Sequence, residues 1–301
     1  VTDAPAITVL LPVYNSQQYL REAVQSVLNQ TFKDFEFLII DDGSTDSSPE
    51  IISDFARRDP RIRVVSRPNK GLTQTLNEGI SLARAPLLAR MDADDLCMPR
   101  RFEKQIAFLN SRPDCVLVGS RVLLIDPEAM PIREMCLEQH HLMIDEAHLH
   151  RGWPVVHPAV MMRLAAVKQV GGYRDEFNTL EDLDLFLRLA EIGQLANLPD
   201  TLLHYRQHFA SVTHSKEQKQ MEIRQAIYDQ TRARRGLPPD VPPPNDRTRS
   251  RLKHEQHFLW AWDALKAGNT KTARKHALIR LKDAPWNKES WRLLACSIRG
   301  H

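Results

Sequence analysis

The triplet Asp92-Ala93-Asp94 sets two carboxylates on alternate residues, so in an extended segment both side chains point the same way. Two hard oxygen ligands on one side suit Mg²⁺ or Mn²⁺, with phosphate oxygens completing the shell. The same residues also suit an acidic turn, where Asp bonds its own backbone, and both readings stand at this point. Two more polar clusters accompany the triplet, Pro12-Val13-Tyr14-Asn15 and Asp41-Asp42-Gly43-Ser44. A site this rich in carboxylates repels a diphosphate unless a divalent cation stands between them. The usual phosphate loops, GxGxxG and GxxxxGK[ST], are absent from the sequence, which argues against a dinucleotide dehydrogenase and a P-loop ATPase.

The elements that must position these clusters follow from the apolar pattern. Ile7 to Leu11 is a short apolar run stopped by Pro12, as in a buried parallel strand. Ser16 is a fitting N-cap, and Tyr19, Leu20, Ala23, Val24, Val27 and Leu28 then fall at helical spacing. Phe35 to Ile40 reads as a second strand, followed by a helix through about Arg58, a strand at Ile62 to Val65 and a helix around Leu72 to Ala83. Leu87 to Met91 is a fourth strand, running into Asp92. Strands alternating with helices predict an α/β fold with a mainly parallel central sheet. Ligands of such sheets sit at the carboxyl ends of the strands, and all three polar clusters stand at such ends. They therefore converge on one edge.

The 301 residues, 42% hydrophobic and 26% charged, can bury a core, and no stretch is long and apolar enough for a membrane span. The first residues, Val1 to Pro5, lack the basic and apolar regions of a signal peptide. Four scattered cysteines form no CxxC pair and suggest neither a zinc site nor a disulfide framework, so a reduced, cytoplasmic protein is expected. The charge is uneven. From Asp246 onward there are 13 Lys+Arg and 5 Asp+Glu, against 28 and 33 before it. Such a basic tail points to an anionic partner, while a plain helical cap with solvated charges is the simpler alternative. Residues 236–245 are proline-rich and read as an extended spacer. The expected organisation is thus a catalytic domain at 1–235, a linker at 236–245 and a basic helical module at 246–301. In the module Leu259, Trp260, Trp262 and Leu265 form an apolar patch on one helix, a second helix runs from Thr270 to about Asp283, and Pro285 is placed to start a third. Leu259 and Leu293 lie 34 apart, as do Ala261 and Ala295, so the module resembles a fragment of a tetratricopeptide repeat.

Ile7 to Asn15, then Asp41-Asp42-Gly43-Ser44-Thr45-Asp46, then Asn69-Lys70-Gly71-Leu72, then Arg90 to Asp95 together resemble the ordered signature of the family 2 glycosyltransferases. The likeness covers about residues 7 to 215 and continues in His157-Pro158-Ala159-Val160-Met161, Gly171-Gly172-Tyr173, Glu181 to Leu185 and Tyr205-Arg206-Gln207-His208. It implies the GT-A fold and inverting, metal-dependent sugar transfer of the hexosyltransferase type from a nucleotide-diphosphate donor. By the same resemblance Tyr14 and Asp41 hold the base, beside Pro12 and Asn15. Asp92 and Asp94, around Ala93, hold the Mn²⁺ or Mg²⁺ on the donor diphosphate. Lys70 and Arg90 add positive charge, although single basic residues are more often solvated.

Inversion also needs a base opposite the leaving group. Asp182 is the candidate by its match to the family's Glu-Asp pair, with Glu181 the weaker one; Thr179 to Asp182 equally fits a capping-box helix start. His208, after Tyr205-Arg206, matches the place where the family sets a histidine near the metal or diphosphate. His157 is expected to shape the acceptor-side loop, and His214 is a reserve. His140, His141, His148 and His150 fit no zinc spacing and read as a solvated surface.

The QxxRW motif of the processive synthases is absent, so the resemblance implies addition of one sugar, or a few, to a glycan or lipid-linked acceptor in bacterial surface polysaccharide assembly. A UDP-sugar is the first donor expected. Nucleic acid is not expected as a partner; a membrane surface, met through the basic tail, and a second copy of the chain are. Two rivals remain open: a non-catalytic module binding glycan or nucleotide for a partner, and a sugar nucleotidyltransferase, which normally opens with a glycine-rich basic loop where this chain has Pro12 to Asn15.

Overall fold

The computed structural model describes residues 4–150, 152–209, 217–239 and 253–300. In chain order the elements are β1 (Ile7–Val13), α1 (Leu20–Leu28), β2 (Phe35–Asp41), α2 (Ser48–Arg58), β3 (Ile62–Ser66), α3 (Leu72–Leu82), β4 (Leu87–Arg90), β5 (Leu96–Cys97) and α4 (Arg101–Ser111). Next come β6 (Cys115–Ile125), β7 (Pro131–Met135), α5 (His141–Leu149), β8 (Met161–Arg163), α6 (Leu164–Gln169), α7 (Glu181–Ala190) and β9 (Gln194–Arg206). Helices α8 (Glu217–Arg235), α9 (Lys253–Lys266), α10 (Thr270–Asp283) and α11 (Lys288–Arg299) complete the chain. The chain divides into two compact units, residues 1–121, 136–203 and 220–241 in one and residues 122–135, 204–219 and 242–301 in the other.

In the first unit the sheet runs β3-β2-β1-β4-β8-β6-β9-β5. The four strands read from the sequence form its parallel half. All seven residues of β1 and all seven of β2 are buried, as expected of strands covered on both faces. Their register sets Val13 beside Asp41, and that of β1 with β4 sets Leu10 beside Arg90. The three polar strand ends therefore emerge side by side. Beyond β4 the pairing turns antiparallel, because β8 pairs with both β4 and β6 in that sense. Leu10, Leu38, Ile40 and Leu88 of the sheet pack with Leu76 and Ile80 of α3, Val167 of α6 and Leu185, Phe186 and Leu189 of α7. Helix α1 starts at Leu20 rather than at Ser16, whose carbonyl instead accepts the N–H groups of Tyr19 and Leu20 in the preceding turn.

Histidine 148 departs from the solvated surface expected of its stretch. It is buried on α5 near Phe186, Tyr228 donates to its carbonyl at 2.8 Å, and burial pushes its pKa down to about 4. No described helix is long and apolar enough to cross a membrane.

In the second unit the later residues of β6 pair with β7, from Val122 with Met135 to Leu124 with Arg133. Ala261, Ala277 and Leu293 bring α9, α10 and α11 onto one small core. The third helix begins at Lys288, three residues beyond Pro285, because Asn287 caps it, its side chain accepting the Glu289 N–H at 2.9 Å. Residues 240–245 of the expected linker and His214 lie outside the described residues.

Candidate active site

The loop after β1 and the loop after β2 are stitched together. Asn15 donates its N–H to Ser44 Oγ at 3.0 Å, and its Oδ1 accepts the Thr45 N–H at 2.8 Å. Asn15 holds a left-handed φ of 48°, which Asn tolerates better than most residues. Tyr14, between Asn15 and the buried Pro12-Val13 end of β1, is 53% exposed and so offers its ring to the solvent side. Asp41 is buried, with one carboxylate oxygen accepting the Ser44 N–H at 3.0 Å.

Its neighbour Asp42 has a different job, which the sequence does not announce. The Asp42 carboxylate accepts the N–H groups of Lys70 and Gly71 at 2.8 and 2.9 Å and pairs with Arg67, while Asn69 donates to its carbonyl at 2.9 Å. Asp42 thus ties the Asn69-Lys70-Gly71 turn to the end of β2, leaving the Lys70 side chain exposed. Gly43 lies under that turn with φ 76°, and a Cβ there would stand 2.7 Å from the Asn69 nitrogen. Only glycine fits this approach.

Carboxylate oxygens of Asp92, Asp94 and Asp95 come within 4.8 Å of one another. Asp95 is a third member that alternation around Ala93 did not select. The set consists of hard oxygens, the donor type Mg²⁺ and Mn²⁺ take. Arg90, at the end of β4, is not solvated as a lone basic residue usually is: it is 2% exposed and pairs with Asp92, whose side chain keeps 31% of its surface open. Burial works against the Arg90 charge, but Asp92 outweighs it and keeps the guanidinium protonated. Burial also raises the Asp92 carboxyl above its ordinary range, Arg90 pulling it down and Asp94 pushing it further up.

Helix α4 fixes the strand end from behind. The fully buried Arg101 donates to the carbonyls of Arg90 and Val160 at 2.9 and 3.0 Å, and Gln105 donates to those of Val118 and Ala159 at 3.1 and 2.7 Å. The His157–Ala159 turn is thereby pinned beside β4. His157 lies 2.7 Å from the Tyr173 hydroxyl, and burial, reinforced by Arg90, holds its imidazole neutral well below the usual range. Tyr173 in turn exchanges backbone hydrogen bonds with the Asn77 amide at 2.8 and 2.9 Å.

Glu181 and Asp182 open α7. The expected capping box of Thr179 and Asp182 does not form: Leu180 is the N-cap, the Asp182 carboxylate accepts the Leu183 N–H, and it is Glu181 Oε2 that accepts the Thr179 N–H, at 2.8 Å. Thr179 stands at φ 84°, a strained conformation for a β-branched residue, and such strain clusters at functional sites. Burial, with Asp182 adding to it, pushes Glu181 up to about 7. Burial likewise raises Asp182, although the Leu183 N–H at 2.8 Å and Arg90 favour its charged form. Asp184, the next acid of the run, is fully buried between Arg174 and Arg188, and Arg188 also holds the Val170 and Gly172 carbonyls at 2.6 and 2.7 Å. Arg90 pairs with Asp92 and is within electrostatic reach of Tyr173, Glu181 and Asp182, so one cation influences both the acidic triplet and the Glu-Asp pair. His208 stands in the second unit, half-buried just past β9.

A family model described as "Glycosyl transferase family 2" matches residues 8–157. Over 212 residues the chain is 32% identical to EpsE of Bacillus subtilis (strain 168), named as a glycosyltransferase, spanning 69% of this chain and 75% of that one. The chain belongs to glycosyl transferase family 2. It is a glycosyltransferase, and its sheet has the GT-A fold of the solved members. Similar structures include S. aureus TarS 1–349 in complex with UDP-GlcNAc, with a TM-score of 0.58 and 15% identity, covering 98% of this chain and 88% of that one. The mannosyltransferase PcManGT from Pyrobaculum calidifontis, in complex with GDP-Man and Mn²⁺, has a TM-score of 0.54 and 17% identity, covering 99% and 86%.

Proposed function

We propose that this family 2 glycosyltransferase transfers single sugars from a nucleotide-diphosphate donor to a glycan or lipid-linked acceptor, with inversion and with a divalent metal. Bacterial surface polysaccharide assembly is the process this reading assigns it to. The observation that carries the reading is the cluster of Asp92, Asp94 and Asp95 beyond the end of β4, with Glu181 and Asp182 at the start of α7 within electrostatic reach of the same Arg90. A neighbour solved with GDP-Man and Mn²⁺, and another with UDP-GlcNAc, add support for a nucleotide-sugar donor.

In this reading Tyr14 lays its exposed ring on the base, and the Asp41 carboxylate accepts the base's imide proton, which favours a UDP-sugar. Pro12, Asn15 and Ala93 line the donor site without charge, and Lys70 faces the phosphates. Asp92 and Asp94 hold the Mn²⁺ or Mg²⁺, which when bound supplies Lewis-acid neutralisation of the leaving diphosphate. Arg90 keeps the carboxylates from repelling the donor before that. Asp182 takes the proton from the acceptor hydroxyl as its oxygen bonds the anomeric carbon, and the C–O bond to the nucleotide breaks on the opposite side with its electron pair. Attack from the face opposite the leaving group gives inversion. The expected role of His208 rests on the resemblance alone.

A panel of nucleotide sugars, tested with and without Mn²⁺ for thermal stabilisation, checks the donor half, because a bound ligand raises the melting temperature by mass action. NMR of the product then reads its anomeric configuration. Stabilisation that ignores metal, or a product that retains configuration, would sink the proposal.

A further inference from the structure

The outer face of the C-terminal module carries large apolar side chains in the open. On α11 the buried positions Ser290, Leu293 and Ser297 face the small core with Ala261 and Ala277. The opposite side is open. There Trp291, Ala295 and Ile298 recur at helical spacing, with Trp291 57% and Ile298 60% exposed. Lys288, Arg292 and Arg299, also exposed, form an adjoining stripe at spacings of four and seven, and Glu289, the one acid on the helix, lies 3.5 Å from Arg292. Trp286, in the turn before α11, is 95% exposed. Trp291 folds back onto that turn, donating its indole N–H to the Pro285 carbonyl at 2.9 Å, so the two tryptophans border the same turn. Lys282 and Lys288 flank it.

Large apolar side chains grouped in the open mark a surface that meets something. The choice of occupant follows from the companions of the apolar stripe. The centre of a contact between two protein surfaces is depleted of lysine, whereas here Lys282 and Lys288 stand beside Trp286. Tryptophan prefers the boundary between water and lipid, where its apolar body and its N–H are both satisfied. Lysine and arginine beside it can lay their stems on apolar surface and reach anionic headgroups. One apolar strip with one cationic strip is the composition of a helix lying in an interface.

We propose that the outer face of α11, with Trp286 at its head, docks the protein on an anionic lipid surface. The tryptophans enter the headgroup region, and Lys288, Arg292 and Arg299 pair with lipid phosphates. The basic excess of the whole tail, 13 Lys+Arg against 5 Asp+Glu, adds long-range attraction. This inference stands apart from the proposed transfer chemistry, since none of its residues belongs to the acidic site.

Co-sedimentation of the full chain with vesicles tests it, comparing phosphatidylcholine alone with phosphatidylcholine mixed with phosphatidylglycerol. Binding is expected only with the anionic lipid and is expected to weaken as salt rises, because counterions screen surface charge. Trp286→Ala/Trp291→Ala should weaken it at least about tenfold, the loss of two interfacial anchors. Lys288→Glu/Arg292→Glu/Arg299→Glu should remove the preference for anionic lipid. Far-UV circular dichroism keeps both variants interpretable, since the altered side chains are exposed; a variant that unfolds is replaced by Trp286→Ala alone. No sedimentation of the full chain, equal binding to neutral lipid, or unchanged binding by the variants overturns the proposal. Light scattering that shows a dimer dissolved by the tryptophan variant also overturns it, assigning the face to a second copy of the chain.

Discussion

The Arg90 guanidinium, buried at the end of β4, pairs with the Asp92 carboxylate. One of the two alternate acids of the Asp92-Ala93-Asp94 triplet therefore already has a cation beside it. Three carboxylates within 4.8 Å of one another repel strongly, and one of them cannot stay ionised cheaply without such a partner. Arg90 offsets part of that repulsion at Asp92. Asp92 and Asp94 would be the residues to hold a divalent ion in the proposed reaction, where it would supply charge neutralisation at the leaving diphosphate.

The first prediction concerns that cluster. Asp92→Ala and Asp94→Ala should each abolish Mn²⁺-dependent donor binding while the circular dichroism spectrum stays that of the parent. In Asp92→Ala the buried Arg90 loses its partner, so a loss of stability of about 3 kcal/mol accompanies it, the usual cost of orphaning a buried charge. Full donor binding by either variant in a metal titration would remove the assignment.

The convergence of acids at one sheet edge was legible in the sequence because each acid directly follows an apolar run, and parallel strands bring their carboxyl ends together. The antiparallel half was not legible. Strand β8 is three residues long, Met161–Arg163, and so short a run has no period to detect. Arg90 was equally hidden: among the groups that share its charge are Tyr173 and the Glu181-Asp182 turn, more than 80 residues away, and adjacent residues say nothing of them. Asp41 and Asp42 look alike as neighbours, yet it is the Asp42 carboxylate that takes the backbone N–H groups of the distant Asn69-Lys70-Gly71 turn. His148 sits among polar residues that suggest solvent, but Tyr228 and Phe186, from two later helices, cover it.

Asp182→Asn should leave donor affinity intact and lower transfer by about 10² to 10⁴, the usual worth of a general base. Burial raises the Asp182 carboxyl, so the parent should lose activity on the acid side at a pH above the ordinary aspartate range. The variant has no proton to lose there and should lack that limb. A variant that melts earlier but turns over at the parent rate would make Asp182 a helix-start residue only.

Glu181 gives a stability prediction with a definite sign. Its folded value, about 7, lies above the ordinary value of 4.5 that it regains on unfolding. Below about pH 4.5 both states hold the proton and its contribution is complete; between that pH and about 7 only the folded state holds it, so stability falls as pH rises. Glu181→Gln keeps an oxygen for the Thr179 N–H but cannot ionise. Its melting temperature relative to the parent should therefore climb from pH 5 to pH 8, by an amount equivalent to about 1–3 kcal/mol. Parallel melting curves across that range would refute the assignment.

The second unit offers the opposite case in Asp126, which is fully buried in the turn between β6 and β7. Its Oδ1 accepts the N–H groups of Glu128 and Met130 at 3.0 and 2.9 Å, and its Oδ2 meets Lys275 and, at 3.0 Å, His276 of α10. Burial alone would raise its pKa, but His276 and Lys275 prevail and hold it near about 2. This stabilisation is complete above the ordinary carboxylate value of 3.8 and is lost as pH falls through 2. Asp126→Asn keeps the turn's acceptor oxygen but removes the charge that Lys275 and His276 face. It should destabilise the protein by about 2 kcal/mol at pH 7, with the gap to the parent closing below about pH 3. The acid side decides the matter: a gap that persists unchanged at pH 2 would mean that the turn's packing, and not the carboxylate charge, accounts for the loss.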